Sequence, residues 1–363
     1  MIRIRTGRVK SMVAARSGIC ELLVEVEGRL ERTINYDKLT GPAQPGDEVV
    51  LNTTGVYKQL GTGGTHFVMA RLASCRKDVS EAGHIMKVRY TPAQVKVLAV
   101  EEEEHPQNHL FRTTNSLEEM PVIIGSLHSM LGPAAAVIAR LTGGRARVVY
   151  VMTDGGALPL ALSGLVAGLK EKGLLVATVT CGHAFGGDFE AVTVYSGLLA
   201  ARGVAGADIV IVTMGPGIAR TASEFGHTGL EQGELVNAVN VLGGRPVAIP
   251  RLSFADPRER HRGVSHHTRT ALGRVAMAPC VVPLPQMEPG REAYVRRQLV
   301  ESGVALKHQV ISVDAFVTLE ALKEYGLSVT TMGRGPEQDP EFFLAAGAAG
   351  IYAVSLINGA GGK

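Results

Sequence analysis

Apolar and polar positions along this chain follow two rhythms, and the change falls near Met120. Before it, apolar residues come in short runs. Cys20 to Val26 alternates them with acidic residues over part of its length, as a strand with one buried face does. Five such runs, at residues 3–13, 19–26, 29–36, 47–53 and 65–72, are separated by the turn signals Arg16-Ser-Gly18, Val26-Glu-Gly28, Gly41-Pro42 and Pro45-Gly-Asp47. Short strands joined by tight turns close most economically into a small antiparallel β-barrel of the OB or SH3-like kind, placed here over residues 1–90. Leu60-Gly-Thr-Gly-Gly-Thr65 reads as a bulged hairpin rather than a phosphate cradle, because it neither leaves a parallel strand nor enters a helix.

From Met120 onward the unit becomes apolar strand, glycine-bearing loop, helix. Pro121 to Ile124 leads through Gly125-Ser-Leu-His128 to a helix over 134–141, and Arg147 to Met152 leads through Thr153-Asp-Gly-Gly-Ala157 to one over 160–169. Leu175 to Thr180 leads through Cys181-Gly-His-Ala-Phe-Gly-Gly187 to a helix over 190–201, and Ala207 to Thr213 leads through Met214-Gly-Pro-Gly217 to one over 231–241. Pro246 to Leu252 then opens into the polar loop Ser253 to Thr268, followed by a helix over 270–277. Strands at 280–284, 309–313 and 327–331 alternate with helices over 291–301 and 319–324, and a closing helix follows Pro340. Repeated βα units predict a Rossmann-like, mostly parallel sheet with helices on both faces, over 120–363. Residues 91–119 connect the two domains; within them Val95 to Val100 serves equally as a strand or as a helix started at Thr91-Pro92, and Glu101 to Glu104 reads as a solvated face.

Composition narrows the class without naming it. A chain of 363 residues, 45% hydrophobic and 20% charged, has the make-up of a soluble globular protein with two or three domains. Lys plus Arg number 37 against 34 acidic residues, so overall charge demands neither a nucleic-acid nor a membrane partner. Cys20, Cys75, Cys181 and Cys280 lack both CxxC spacing and the density of a secreted scaffold, which points to a reducing cytoplasm. The first ten residues lack the apolar core of a signal peptide, and the Ala/Gly-rich stretch from Phe342 to Ile357 reads as a packed helix rather than a membrane span.

If the strands are parallel, their following loops emerge along one edge, where open α/β sheets bind ligands. The densest of them, Ser253-Phe-Ala-Asp-Pro-Arg-Glu-Arg-His-Arg-Gly-Val-Ser-His-His-Thr268, supplies Asp256, His261, His266 and His267 as candidate catalytic groups, since imidazole and carboxylate suit acid/base work and divalent metals alike. The spacing matches no helical zinc signature, so a divalent metal is a candidate cofactor and not a requirement. Adjacent His266 and His267 cannot point the same way from regular structure. Arg258, Arg260 and Arg262 alternate, and in an extended segment would share a face as an anion clamp; a solvated charged loop is the plainer alternative. Asp154 stands where a carboxylate would meet a metal or a hydroxyl, beside Gly155 and Gly156, although an Asp-Gly turn explains it equally well. Gly186, Gly187, Asp188 and Glu190 precede a helix whose amino end would attract an anion, or whose cap Asp188 supplies. Gly215 and Gly217 frame a rigid corner, and His128 completes the expected cleft.

The segments V-M-T-D-G-G-A-L-P, A-F-G-G-D-F-E-A-V-T-V-Y-S-G-L-L-A-A-R and D-P-R-E-R-H-R-G-V-S-H-H-T, with L-G-T-G-G in the first domain, resemble a bacterial family catalogued as a domain of unknown function, over nearly the whole chain. The resemblance implies no activity. It implies that His183, where relatives often carry Gln, is not an essential catalyst, and that Ile218 to Ala222, where relatives run Gly-Thr-rich, is a poor phosphate loop.

Two functions are expected. The first is an enzyme, a hydrolase or transferase, acting on a small anionic metabolite or nucleotide by acid/base or metal-assisted chemistry. The second is a non-catalytic nucleotide-sensing or RNA-associated protein using Tyr36, Tyr57 and Phe67 of the barrel, although three barrel aromatics are more ordinarily core. A homo-oligomer is compatible with either. No strand is followed by the G-x-G-x-x-G of a nicotinamide enzyme.

Overall fold

The computed structural model describes residues 1–61, 63–72 and 78–360, the last two of these as backbone only. Cys75 and the centre of the Leu60–Thr65 stretch lie outside the described residues. The chain divides into two compact units, Met1–Lys96 and Val97–Lys363.

The first unit is a closed five-stranded barrel of β1 (Ile4–Arg16), β2 (Ile19–Val26), β3 (Arg29–Tyr36), β4 (Glu48–Asn52) and β5 (His66–Arg71), in the order β1-β2-β3-β5-β4. Its core is the alternating inward set Val9, Leu22, Val24, Val49, Leu51 and Val68. All pairings are antiparallel except β3 with β5, which run parallel, so the expected all-antiparallel barrel is corrected at one seam. Past it, β6 (Ile85–Lys87) and β7 (Val95–Val97) form a short ladder, which settles Val95 as strand. Residues 97–119 pack with the second unit: Val100 donates to the Glu190 carbonyl and Leu117 to that of Leu242.

The second unit holds an eight-stranded sheet of β8 (Pro121–Ile124), β9 (Val148–Thr153), β10 (Ala177–Thr180), β11 (Phe189–Glu190), β12 (Ile209–Met214), β13 (Arg245–Ala248), β16 (Val281–Pro285) and β17 (Gln309–Val313); between them β14 (Leu252–Ser253) and β15 (Gly263–Val264) pair separately. The sheet order is β11-β10-β9-β12-β8-β13-β16-β17, and every pairing is parallel. The six residues of β9 and of β12 are all buried, as expected of strands covered on both faces. The crossover through the helix Leu131–Thr142 runs one way along the sheet and that through Glu231–Val241 the other. With right-handed crossovers this puts the helices on opposite faces and makes β9, β12, β8 and β13 the switch region.

Two expected elements differ. Residues 327–331 join no strand of the sheet; Val329 instead packs beside Gly132 on the Leu131–Thr142 helix. The expected helix over 270–277 is a short α-helix, His266–Thr270, continued by a π-helix, Ala271–Val275. The helix Pro340–Ala360 contains a window long and apolar enough to cross a membrane, 67% of it buried within the fold.

Candidate functional site

Backbone register aligns Ala248, Ile124, Val212, Val151 and Val179 across the switch strands. The loops after β8, β9, β10, β12 and β13 therefore leave one edge, as the pattern of βα units requires. They use that edge in two different ways.

The glycine loops close on one another. Asp154 is exposed, and its carboxylate accepts the His183 amide at 2.8 Å. The Ala157 amide donates to the Pro216 carbonyl, and a Cβ on Gly156 would stand 2.2 Å from the Gly215 oxygen, so glycine is needed there for loop-on-loop packing. Gly186 N–H donates to Glu190 Oε1 at 2.7 Å and Gly187 N–H to Thr180 Oγ1 at 3.1 Å, which takes up the donors expected to hold an anion. Asp188 accepts from the Thr178 amide and hydroxyl and from Lys170. It caps no helix: the helix starts at Val194, four residues later than its expected start, and Thr193 caps it through a capping box with Ser196. Gly217 is exposed at the corner. His128 is half-buried and bonded within the fold, with Nδ1 against the Tyr150 hydroxyl at 3.1 Å and Nε2 against Ser163 Oγ at 2.6 Å. Burial pushes it down to about 4.

The loop after β13 builds the opposite kind of surface. Pairing of β14 with β15 ties its two ends together, and Gln298 clamps it by accepting from Val264 N–H and donating to the Arg262 carbonyl. Inside, the Asp256 side chain is wholly buried and meets Arg258 at 2.7 Å, Arg334 at 3.6 Å and Arg251 at 3.8 Å. Burial opposes its charge, but the Arg258 side-chain and backbone hydrogen bonds outweigh it and hold the carboxyl below the ordinary range. Arg334 also binds Asp339, which accepts from Ser253 as well. Arg260 and Arg262 are exposed, and a 3-10 turn at Glu259–His261 replaces the extended segment that would have put three arginines on one face.

Against this arginine wall stand four imidazoles. His266 and His267 open their helix, with Ser265 Oγ accepting the His267 amide as cap; the same oxygen lies 2.7 Å from His261 Nδ1. The fourth, His227, comes from the loop after β12 and stacks on His267, ring centroids 3.9 Å apart and planes 19° apart. His266 stands 4.3 Å from His267 and 5.5 Å from His227, and His261 about equally far from both helix histidines, at 5.0 and 5.1 Å. His227 Nδ1 and Nε2 and the Nε2 atoms of His261, His266 and His267 are buried and lack a hydrogen-bond partner among the described residues. Burial, reinforced by neighbouring arginines and by one another, pushes His261 down to about 3 and His266 to about 4, and depresses His267 and His227 as well. Arg251 donates to His267 Nδ1 at 3.2 Å; since guanidinium only donates, the proton of a neutral His267 sits on Nε2. His266 is the part-exposed member and lines a hollow of about 340 Å³ with Glu224, Arg269, Arg274 and Glu301.

His227, Arg251, Arg334 and Glu231 had no sequence signal of their own. Glu231 opens the helix Glu231–Val241 and accepts from Thr153 Oγ1 at 2.8 Å; burial, then Asp154 and Glu234, raise it to about 7. The adjacent Gln232 donates to the Ile124 and Ile249 carbonyls, fixing this helix start, four residues beyond His227, to the switch strands.

A barrel followed by a doubly wound parallel sheet, with a histidine–arginine centre at the sheet's carboxyl edge, defines the class. The chain belongs to the family described as Protein of unknown function (DUF3866), matched over residues 32–350. No curated protein and no solved structure matches it.

Proposed function

We propose that this protein is an enzyme, a hydrolase or transferase, that acts on a small anionic metabolite or nucleotide at the histidine–arginine centre. One observation carries the reading: buried imidazole nitrogens without partners crowd against arginines that outnumber the local carboxylates. An unpaired buried polar atom costs about 1–3 kcal/mol, so a fold retains several together where a ligand completes them. Arg251 orients the His267 ring through Nδ1, His261 is placed for acid/base work, and Arg258 and Arg260 attract the anion. Asp256 orients the arginines rather than reacting, because its oxygens face guanidinium groups. The wide spacing of the four cysteines fits a cytoplasmic setting.

The non-catalytic alternative draws on the barrel, where Tyr57 is exposed with Arg3 and Lys58 against its ring. It draws nothing from Tyr36 and Phe67, which stack on each other with Tyr36 buried. Melting the protein against inorganic phosphate, nucleoside phosphates and dicarboxylates, then following the best ligand by mass spectrometry, separates the two. The enzyme reading expects conversion, lost in His261→Ala with binding retained, and weakened binding in Arg251→Met. Binding without conversion in the wild type would favour the alternative.

A further inference from the structure

The three ring systems of His227, His266 and His267 offer one nitrogen each within 4.8 Å of one another. We propose that these histidines hold a divalent transition-metal ion of the zinc class, leaving a fourth position open to an oxygen of the anionic ligand. The inference rests on the enzyme reading only for that fourth ligand; the ion site stands on its own residues.

Three independent features converge on it. His266 and His267 are neighbours on the first turn of a helix, so they diverge by about 100° and cannot enclose an ion without a third arm from elsewhere. His227, arriving from the loop after β12, is that arm, and both its nitrogens are buried without partners. Immediately beyond the helix His266–Thr270 the chain enters a π-helix, Ala271–Val275, a rare form that is frequent at functional sites. Neutral imidazole is moreover the donor that zinc-class ions prefer over hard magnesium or calcium.

The geometry requires one movement. Zinc–nitrogen bonds of about 2.0–2.1 Å in a tetrahedral site put imidazole centroids about 5 Å apart. The 4.3 and 5.5 Å pairs bracket that figure, while the stacked pair at 3.9 Å must part by about an ångström. His227 turns at the cost of no more than a weak interaction with the Glu224 backbone, whereas the helix holds the other two. For Nε2 of His267 to meet the ion its proton would move to Nδ1, and Arg251, displaced from that nitrogen, has a second acceptor within reach, Asp256 Oδ2 at 3.8 Å. Entry is through the hollow that His266 lines.

The test uses the full chain stripped with chelator and dialysed, titrated calorimetrically with zinc and followed with cobalt(II) by visible absorption. One ion per chain is expected, with the strong ligand-field bands of four-coordinate cobalt. His227→Ala and His266→Ala should each weaken zinc by more than about 100-fold, given that even supporting residues cost 10–100-fold, while the exposed His109→Ala changes nothing. If circular dichroism shows His227→Ala unfolded, His227→Gln takes its place. No stoichiometric zinc in the wild type, or wild-type affinity in the His227 variant, overturns the site. Zinc binding without turnover of any anion leaves the site standing and removes the enzyme reading; anion turnover without zinc binding does the reverse.

Discussion

The glycine loops and the histidine wall leave the same edge of one sheet, yet they treat their polar groups in opposite ways. Around Gly156, Gly186 and Gly187 the donors and carboxylates meet one another within the chain, at 2.7 to 3.1 Å where N–H meets oxygen. Around His227 and His267 both ring nitrogens of the first and Nε2 of the second are buried with no hydrogen-bond partner among the described residues, while His267 Nδ1 meets only the Arg251 guanidinium. Glycines at a sheet edge are thus no sign of ligand binding in themselves. What distinguishes a site is the polar group a fold buries and leaves unsatisfied.

The largest effect that would break this comparison lies in the glycine loops. Gly156→Ala puts a Cβ 2.2 Å from a backbone oxygen that cannot turn aside, and should cost about 3 kcal/mol in urea unfolding at the upper end of overpacking effects. Ligand binding at the histidines should stay within a factor of two or so in whatever fraction folds, since the contact is internal. Lost binding in a fully stable variant would mean that the loops serve the ligand after all.

That division was only half legible beforehand. Period-2 runs before Met120 and βα units after it follow from backbone geometry, so the barrel and the parallel sheet could be read from the order of apolar residues. The 253–268 loop was legible because its reactive residues are adjacent in sequence. His227 and Arg251 were not, because each lies outside that loop in sequence and joins it only through folding. The arginine alternation misled for a related reason: it presumed an extended chain, and Glu259–His261 winds into a single 3-10 turn. Asp188 misled as a cap because a two-residue strand, Phe189–Glu190, intervenes before the helix.

A second test sharpens the comparison at Glu231, the one carboxyl of the glycine region raised close to neutrality. A folded-state value of about 7, above the unfolded one, means that the fold favours the uncharged acid. Its contribution is fully present below the unfolded value near pH 4.5 and is lost as pH rises through about 7. Glu231→Gln keeps the uncharged form at every pH. The variant should match the wild type near pH 4 and exceed it at pH 8 by up to roughly 3 kcal/mol in chemical denaturation. Equal pH profiles would show that Glu231 ionises freely, and that the glycine region is less enclosed than the Thr153 hydrogen bond indicates.

The smallest effect is also the one with the most telling sign. His227 is 5% exposed, with no close hydrogen bond to either ring nitrogen among the described residues, so in chelator-stripped protein it carries a desolvation cost offset only by its ring contacts with His267 and His266 and a weak interaction with the Glu224 backbone. Replacing it with Leu removes that cost and keeps apolar bulk. His227→Leu should therefore be neutral or more stable by about 1 kcal/mol, where a buried polar residue with satisfied partners would lose stability on the same change. Ligand or ion binding should fall even as the melting temperature holds or rises. A drop of 2 kcal/mol or so would place His227 among the satisfied groups, on the same footing as His128 with its Tyr150 and Ser163 partners, and the contrast between the two regions would lose its principal member.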